Sequence, residues 1–194
     1  MGKVLIALDE KGTFVNDLVP ITEDLLRSTC REDLFIGLVV KDMAYTSSLS
    51  SYVKEAAMFD NMPESDGFMT QEDRKKTEVI SLFEKGCREA GVRHQIYNDF
   101  RITAHELIKQ TTYADLLIIS YQIFFNPVTR KVDTSLLYQF LKGSRCPVLI
   151  IPEDMKSIKN VILTYDGKES SVFAIRAFSN LFDNGVKDKI ATIL

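Results

Sequence analysis

No apolar stretch in this sequence approaches the roughly 18 residues that would suggest a membrane span. The longest, residues 4–8 and 34–40, stop at Asp9 and Lys41. A signal-peptide pattern is missing too, because only five apolar residues separate Lys3 from Asp9. Cysteine is scarce and odd in number: Cys30, Cys87 and Cys146 stand far apart without paired spacing. That excludes a disulfide framework and points to free thiols in a reducing compartment. His94 and His105 form no metal-ligand spacing with each other or with the cysteines, so all five are read as structural and no metal is expected. Nor is there a single-sign charge block. The 27 acidic and 24 basic residues leave a net charge of −3, and the densest basic patch, Arg74 to Lys76, sits beside Glu72, Asp73 and Glu78. Such a mixture reads as a solvated helix face. The expectation is a cytoplasmic protein with no nucleic-acid and no membrane partner.

What is present is ordinarily globular, 45% hydrophobic and 26% charged, which argues against disorder. The 194 residues suit one sizeable core, or one domain and a fragment. Lys3-Val-Leu-Ile-Ala-Leu-Asp9 and Asp33-Leu-Phe-Ile-Gly-Leu-Val-Val40 are too continuously apolar for half-exposed strands and read as buried parallel ones. Between them Val15, Leu18, Val19, Thr22, Leu25 and Leu26 return at helical spacing, in a helix that either starts near Pro20 or is kinked there. Residues 41–70, rich in Ser, Met and Asp, read as a long, partly helical excursion. A helix from about Gln71 turns Val79, Leu82, Phe83, Cys87 and Ala90 inward and ends at Gly91.

Residues 92–100 make a plausible edge strand with His94 and Asn98 outward. Thr103 and Glu106 form a capping-box pattern ahead of Leu107, Ile108 and Thr111. Asp115-Leu-Leu-Ile-Ile-Ser120 is the fourth strand; Asp133 or Thr134 caps a short helix closed by Gly143, and Cys146-Pro-Val-Leu-Ile-Ile-Pro152 is the fifth strand. This alternation implies an α/β fold, a five-stranded parallel sheet with helices on both faces. Ligands of such sheets sit at the carboxyl ends of the strands.

At an offset of 157 residues the chain matches itself. Asn160-Val-Ile-Leu-Thr-Tyr-Asp166 repeats the pattern of residues 3–9; Asp9, Lys11 and Val15 fall on Asp166, Lys168 and Val172. Leu18, Ile21 and Leu25 fall on Ile175, Phe178 and Phe182. A strand, its terminal Asp and a helix face agreeing without a gap indicate tandem duplication. The expected organisation is a complete domain over 1–152, a linker over 153–159, and over 160–194 the strand, helix and strand that begin a second, truncated copy.

In this order the motifs resemble the universal stress protein family. Val161-Ile-Leu-Thr-Tyr-Asp166-Gly-Lys-Glu-Ser-Ser171 matches its opening strand and turn, with residues 4–12 a looser match; Ala114-Asp115-Leu116 and Cys146-Pro147-Val148-Leu149-Ile150-Ile151-Pro152 match its closing half. The resemblance implies that family's Rossmann-like fold and, in its ATP-binding members, Gly-x2-Gly-x9-Gly-Ser/Thr after the fourth strand. Glycines there let backbone amides approach phosphate oxygens at a helix N-terminus. Counted from the fourth strand, the glycine positions fall on Ser120, Ile123 and Asp133 with Thr134 in the Ser/Thr place; counted back from Cys146, the last pair moves to Thr134 and Ser135. Neither register has a glycine. By the same resemblance Asp9 occupies the position that meets the adenine or ribose side, and Val39 the one whose backbone meets the base.

The resemblance therefore implies a non-enzymatic stress-response module acting through dimerisation or protein contacts, a homodimer or self-association through the fifth strand and the partial second copy. No cofactor is expected and no catalytic residue is named. The alternative is a stress protein that binds ATP through a loop of different composition. An ATP-using transferase or pyrophosphatase is the weakest reading, because the chain has no P-loop and no nucleophile-base arrangement.

Overall fold

Strand β1 (Lys3–Asp9) lies at the centre of a sheet, paired in parallel with β2 (Leu34–Val40) on one side and β4 (Leu116–Ser120) on the other. The edges are β3 (Arg93–Ile96) beside β2 and, beside β4, the strand β7 (Val148–Ile151). The order β3-β2-β1-β4-β7, parallel throughout, is the expected five-stranded sheet. The computed structural model describes residues 2–9, 33–40, 71–97, 102–126, 130–152, 160–182 and 190–193. The expectations for the helix around Pro20, the excursion over 41–70, Cys30, Asn98 and the linker over 153–159 lie outside the described residues.

Because side chains alternate along a strand, a sheet covered on both faces needs apolar residues at every position, and β1 and β2 supply them. Val4, Ile6 and Leu8 share one core with Val79, Phe83 and Cys87 of helix α1 (Gln71–Ala90). On the other face Leu5 and Ala7 share a second core with Leu107 of α2 (Ala104–Gln110) and Phe140 of α3 (Thr134–Gly143).

Two glycines set how tightly α1 fits. At Gly37 of β2 an added Cβ would meet the Phe83 ring at 2.8 Å, so the helix rests directly on bare backbone. Gly91 takes φ +68°; its amide donates to Arg88 O and the amide of Val92 to Cys87 O, a Schellman ending. The capping box of α2 is present as read, with Thr103 Oγ1 accepting from the Glu106 amide and Glu106 Oε2 from that of Thr103. His94 departs from expectation. It shares the inward side of β3 with Ile96, half-buried, and its ring stands edge-on to Phe83 at 6.2 Å. Alternation decides this: once Ile96 turns inward, so must His94.

Strand β8 (Val161–Leu163) and β9 (Ile190–Ile193) form a separate two-stranded parallel sheet joined through α4 (Glu169–Leu181). The C-terminal part of α4 docks on the α1 face of the large sheet. Phe182 is 5% exposed among Leu116, Ile118 and Ile151, and Phe178 and Leu181 pack against them. Val172, expected on this inner face, is exposed, because the helix docks only through its C-terminal Phe178, Leu181 and Phe182 and its first turn stands clear of the sheet.

Candidate functional site

In a parallel sheet of this order the chain leaves β1 towards β2 and leaves β4 towards β7, so the carboxyl ends of β1 and β4 flank the topological switch point. Asp9 closes β1 there and is 8% exposed. Val39, second from the end of β2, lies opposite Leu8; its side chain is buried in the core and its carbonyl oxygen accepts a hydrogen bond from the amide of Ile102 at 2.9 Å. At the position whose backbone the resemblance assigns to the base, the carbonyl oxygen thus already accepts a hydrogen bond within the fold.

The segment after β4 is equally committed. Ser120 is buried at the end of β4, and its hydroxyl accepts from the amide of Gln122 at 3.2 Å. That bond starts a single 3₁₀ turn over Tyr121–Phe124, which drives Ile123 into the core at 4% exposure beside Phe124 and Phe140. The chain then forms an antiparallel hairpin of β5 (Phe125–Asn126) and β6 (Lys131–Val132), with Arg130 in the left-handed region at φ 53°. Asp133 follows as N-cap of α3: its Oδ1 accepts from the Leu136 amide at 2.9 Å, and its own amide donates to Phe124 O at 2.9 Å. Thr134 and Ser135 are exposed on the first turn of α3.

In the register counted from the fourth strand, each glycine position is thus filled by a side chain with a structural task. A phosphate-binding loop needs backbone amides free to converge on an anion, whereas here the Gln122, Asp133 and Leu136 amides have acceptors within the loop. The Asp133 carboxylate also stands at the helix end where a phosphate would be drawn, and two negative charges there repel.

Asp166, the counterpart of Asp9 in the self-match, ends the segment after β8 in the open. Its Oδ1 accepts from the Lys168 amide at 3.1 Å and its Oδ2 lies 3.1 Å from Lys168 Nζ. Hydrogen bonds from the Ser171 hydroxyl and then from Lys168 hold its carboxyl below the usual carboxylate range. This is a turn carboxylate occupied with its own loop.

Sequence reasoning brought Asp9 and Ser120 to the same sheet edge and left the cap of α3 between Asp133 and Thr134, of which Asp133 takes it, but it missed the Ile102 to Val39 link and the hairpin. Each hairpin strand is two residues long, too short to show a period. Among the described residues there is no group of three or more His, Cys, Asp or Glu able to hold a metal ion, and no helix long and apolar enough to cross a membrane. No family model matches the chain, and no curated protein matches it significantly.

Proposed function

We propose that this chain is a non-catalytic module of the universal stress protein kind, working in the cytoplasm through dimerisation or protein contacts, with weak or no binding of ATP. The five-stranded parallel sheet with helices on both faces is the architecture that the motif resemblance implies. The β8–α4–β9 unit, parallel like β1 and β2, supports the duplication. The single observation that carries the reading is Ile123. At the position where a phosphate loop needs a glycine it is 4% exposed and part of the core, so opening the loop for a polyanion would empty a packed site.

Two features favour self-association. Strand β7 is an edge of the large sheet, and β8, in the separate small sheet, carries Ile162 at 60% exposure. Exposed strand edges with apolar side chains are templates for pairing with another copy. Cys87 and Cys146 are free, and burial pushes both thiols up, to about 12 and about 11, so neither is primed for redox chemistry.

Mass spectrometry of nucleotide carried through purification tests the reading. No stoichiometric adenine nucleotide is expected. Close to one equivalent per chain would favour a nucleotide-binding stress protein with a non-glycine loop.

A further inference from the structure

A groove of about 340 Å³ lies between α4 and residues 144–149, the segment that leads into β7. Because these residues precede β7, the groove sits at the amino-terminal side of the sheet, opposite the strand ends that hold Asp9 and Ser120. One wall is the α4 stripe of Phe173, Ala174, Ala177 and Phe178; Leu116, Pro147 and Leu149 line the other side. The hollow exists because Ala174 and Ala177 place two small side chains where the helix faces the sheet. Apolar burial here is incomplete: no residue within α4 is fully buried, and Phe173 is 68% exposed.

We propose that this groove binds a small amphiphile with a single aliphatic chain and an anionic headgroup, such as a medium-chain carboxylate. The volume falls in the range of small-molecule pockets, about 300–1,000 Å³. Thirteen residues line it, well short of the roughly 20–30 per side of a stable protein interface, so a small ligand fits better than a docked protein. Most of the lining is apolar, and its polar side chains Ser144 and Arg145 are neighbours in the chain. Arg145 is the only charged residue of the lining. It is exposed, and among the described residues its guanidinium has no ion-pair partner. Its backbone is held in place, its amide donating to Thr111 Oγ1 at 2.9 Å. The Cys146 thiol, pushed up to about 11 chiefly by burial and then by the charge of Asp115, stays neutral at physiological pH; Asp115 itself lies outside the lining, its carboxylate accepting from the Lys3 amide, so Arg145 carries the one charge of the groove wall.

The test titrates the full chain with decanoate and with its neutral methyl ester, by calorimetry and by amide chemical shifts, below the concentration at which decanoate forms micelles. One site per chain is expected, preferring decanoate over the ester, with shifts at Ala174, Ala177, Phe178 and Leu149. Arg145→Gln should weaken decanoate about tenfold, the worth of one charge-assisted hydrogen bond, and abolish the preference over the ester. Ala177→Leu, which fills the hollow, should weaken both ligands alike. Absence of saturable binding overturns the proposal, as does binding that both variants leave unchanged. Shifts confined to the strand ends around Asp9 also overturn it; because that map is read on the native chain, it decides even where a variant fails to fold.

Discussion

The amide of Ile102 donates to the carbonyl oxygen of Val39 at 2.9 Å, tying the end of β2 to the segment that enters α2. Ile102 is buried and bridges Val40 as a one-residue continuation of the sheet. A base seated against Val39 would have to compete for that oxygen. The Ile102 amide should exchange with solvent only on global unfolding, and saturating ATP should leave its rate unchanged. Exchange that slows on adding ATP would show that nucleotide reaches this strand end.

Restoring glycine to the loop carries a stability cost that the motif alone conceals. Ile123→Gly removes a core side chain, and urea unfolding should show a loss of about 3–5 kcal/mol, at the upper end of large-to-small replacements. Asp133→Ala removes only the cap on Leu136 and should cost about 1 kcal/mol, with Asn at the same position close to neutral. Equal losses at the two positions would mean that Ile123 is not packed as described.

Phe182 anchors α4 to the large sheet, its ring 5.0 Å from that of Phe178. Phe182→Ala should therefore destabilise the whole chain by about 3 kcal/mol in a single urea transition. A separate early transition, with the main one unmoved, would show that α4 folds independently of the sheet.

The sheet was legible because its information is local and redundant. Residues 4–8, 34–40 and 116–119 are apolar at every position and too short for helices, which is how strands of a sheet covered on both faces read. Caps were legible for the same reason, since Thr103 with Glu106 and Asp133 with Leu136 act within one turn. The candidate site was only half legible. Its strand ends follow from topology, but the state of Val39 O depends on Ile102, 63 residues away and outside any regular strand. The inward face of α4 was misjudged at Val172 for a related reason: a helical period fixes a stripe's spacing, whereas how much of its length docks depends on the surface it meets.

Burial raises the Cys146 thiol to about 11 and the Cys87 thiol to about 12, above an ordinary value of 9.0. A folded chain that keeps these protons longer than the unfolded chain is fully stabilised below pH 9 and loses that contribution as pH rises through 9 towards 11 and 12. Urea midpoints should fall over this alkaline window, and less steeply in Cys87→Ala once its own packing loss is subtracted. At pH 8 both thiols should react with an alkylating reagent far more slowly than free cysteine, as peptide-resolved mass spectrometry would register. Rapid labelling of Cys87 in the folded chain would contradict its burial.

Calorimetric titration of the purified full chain with Mg·ATP bears most directly on the functional reading. With Ile123 in the core, Asp133 capping α3 and the Val39 carbonyl engaged, no binding tighter than about 100 μM, roughly −5.5 kcal/mol, is expected. A saturable heat signal with low-micromolar affinity and one site per chain, lost in Asp9→Ala, would contradict it.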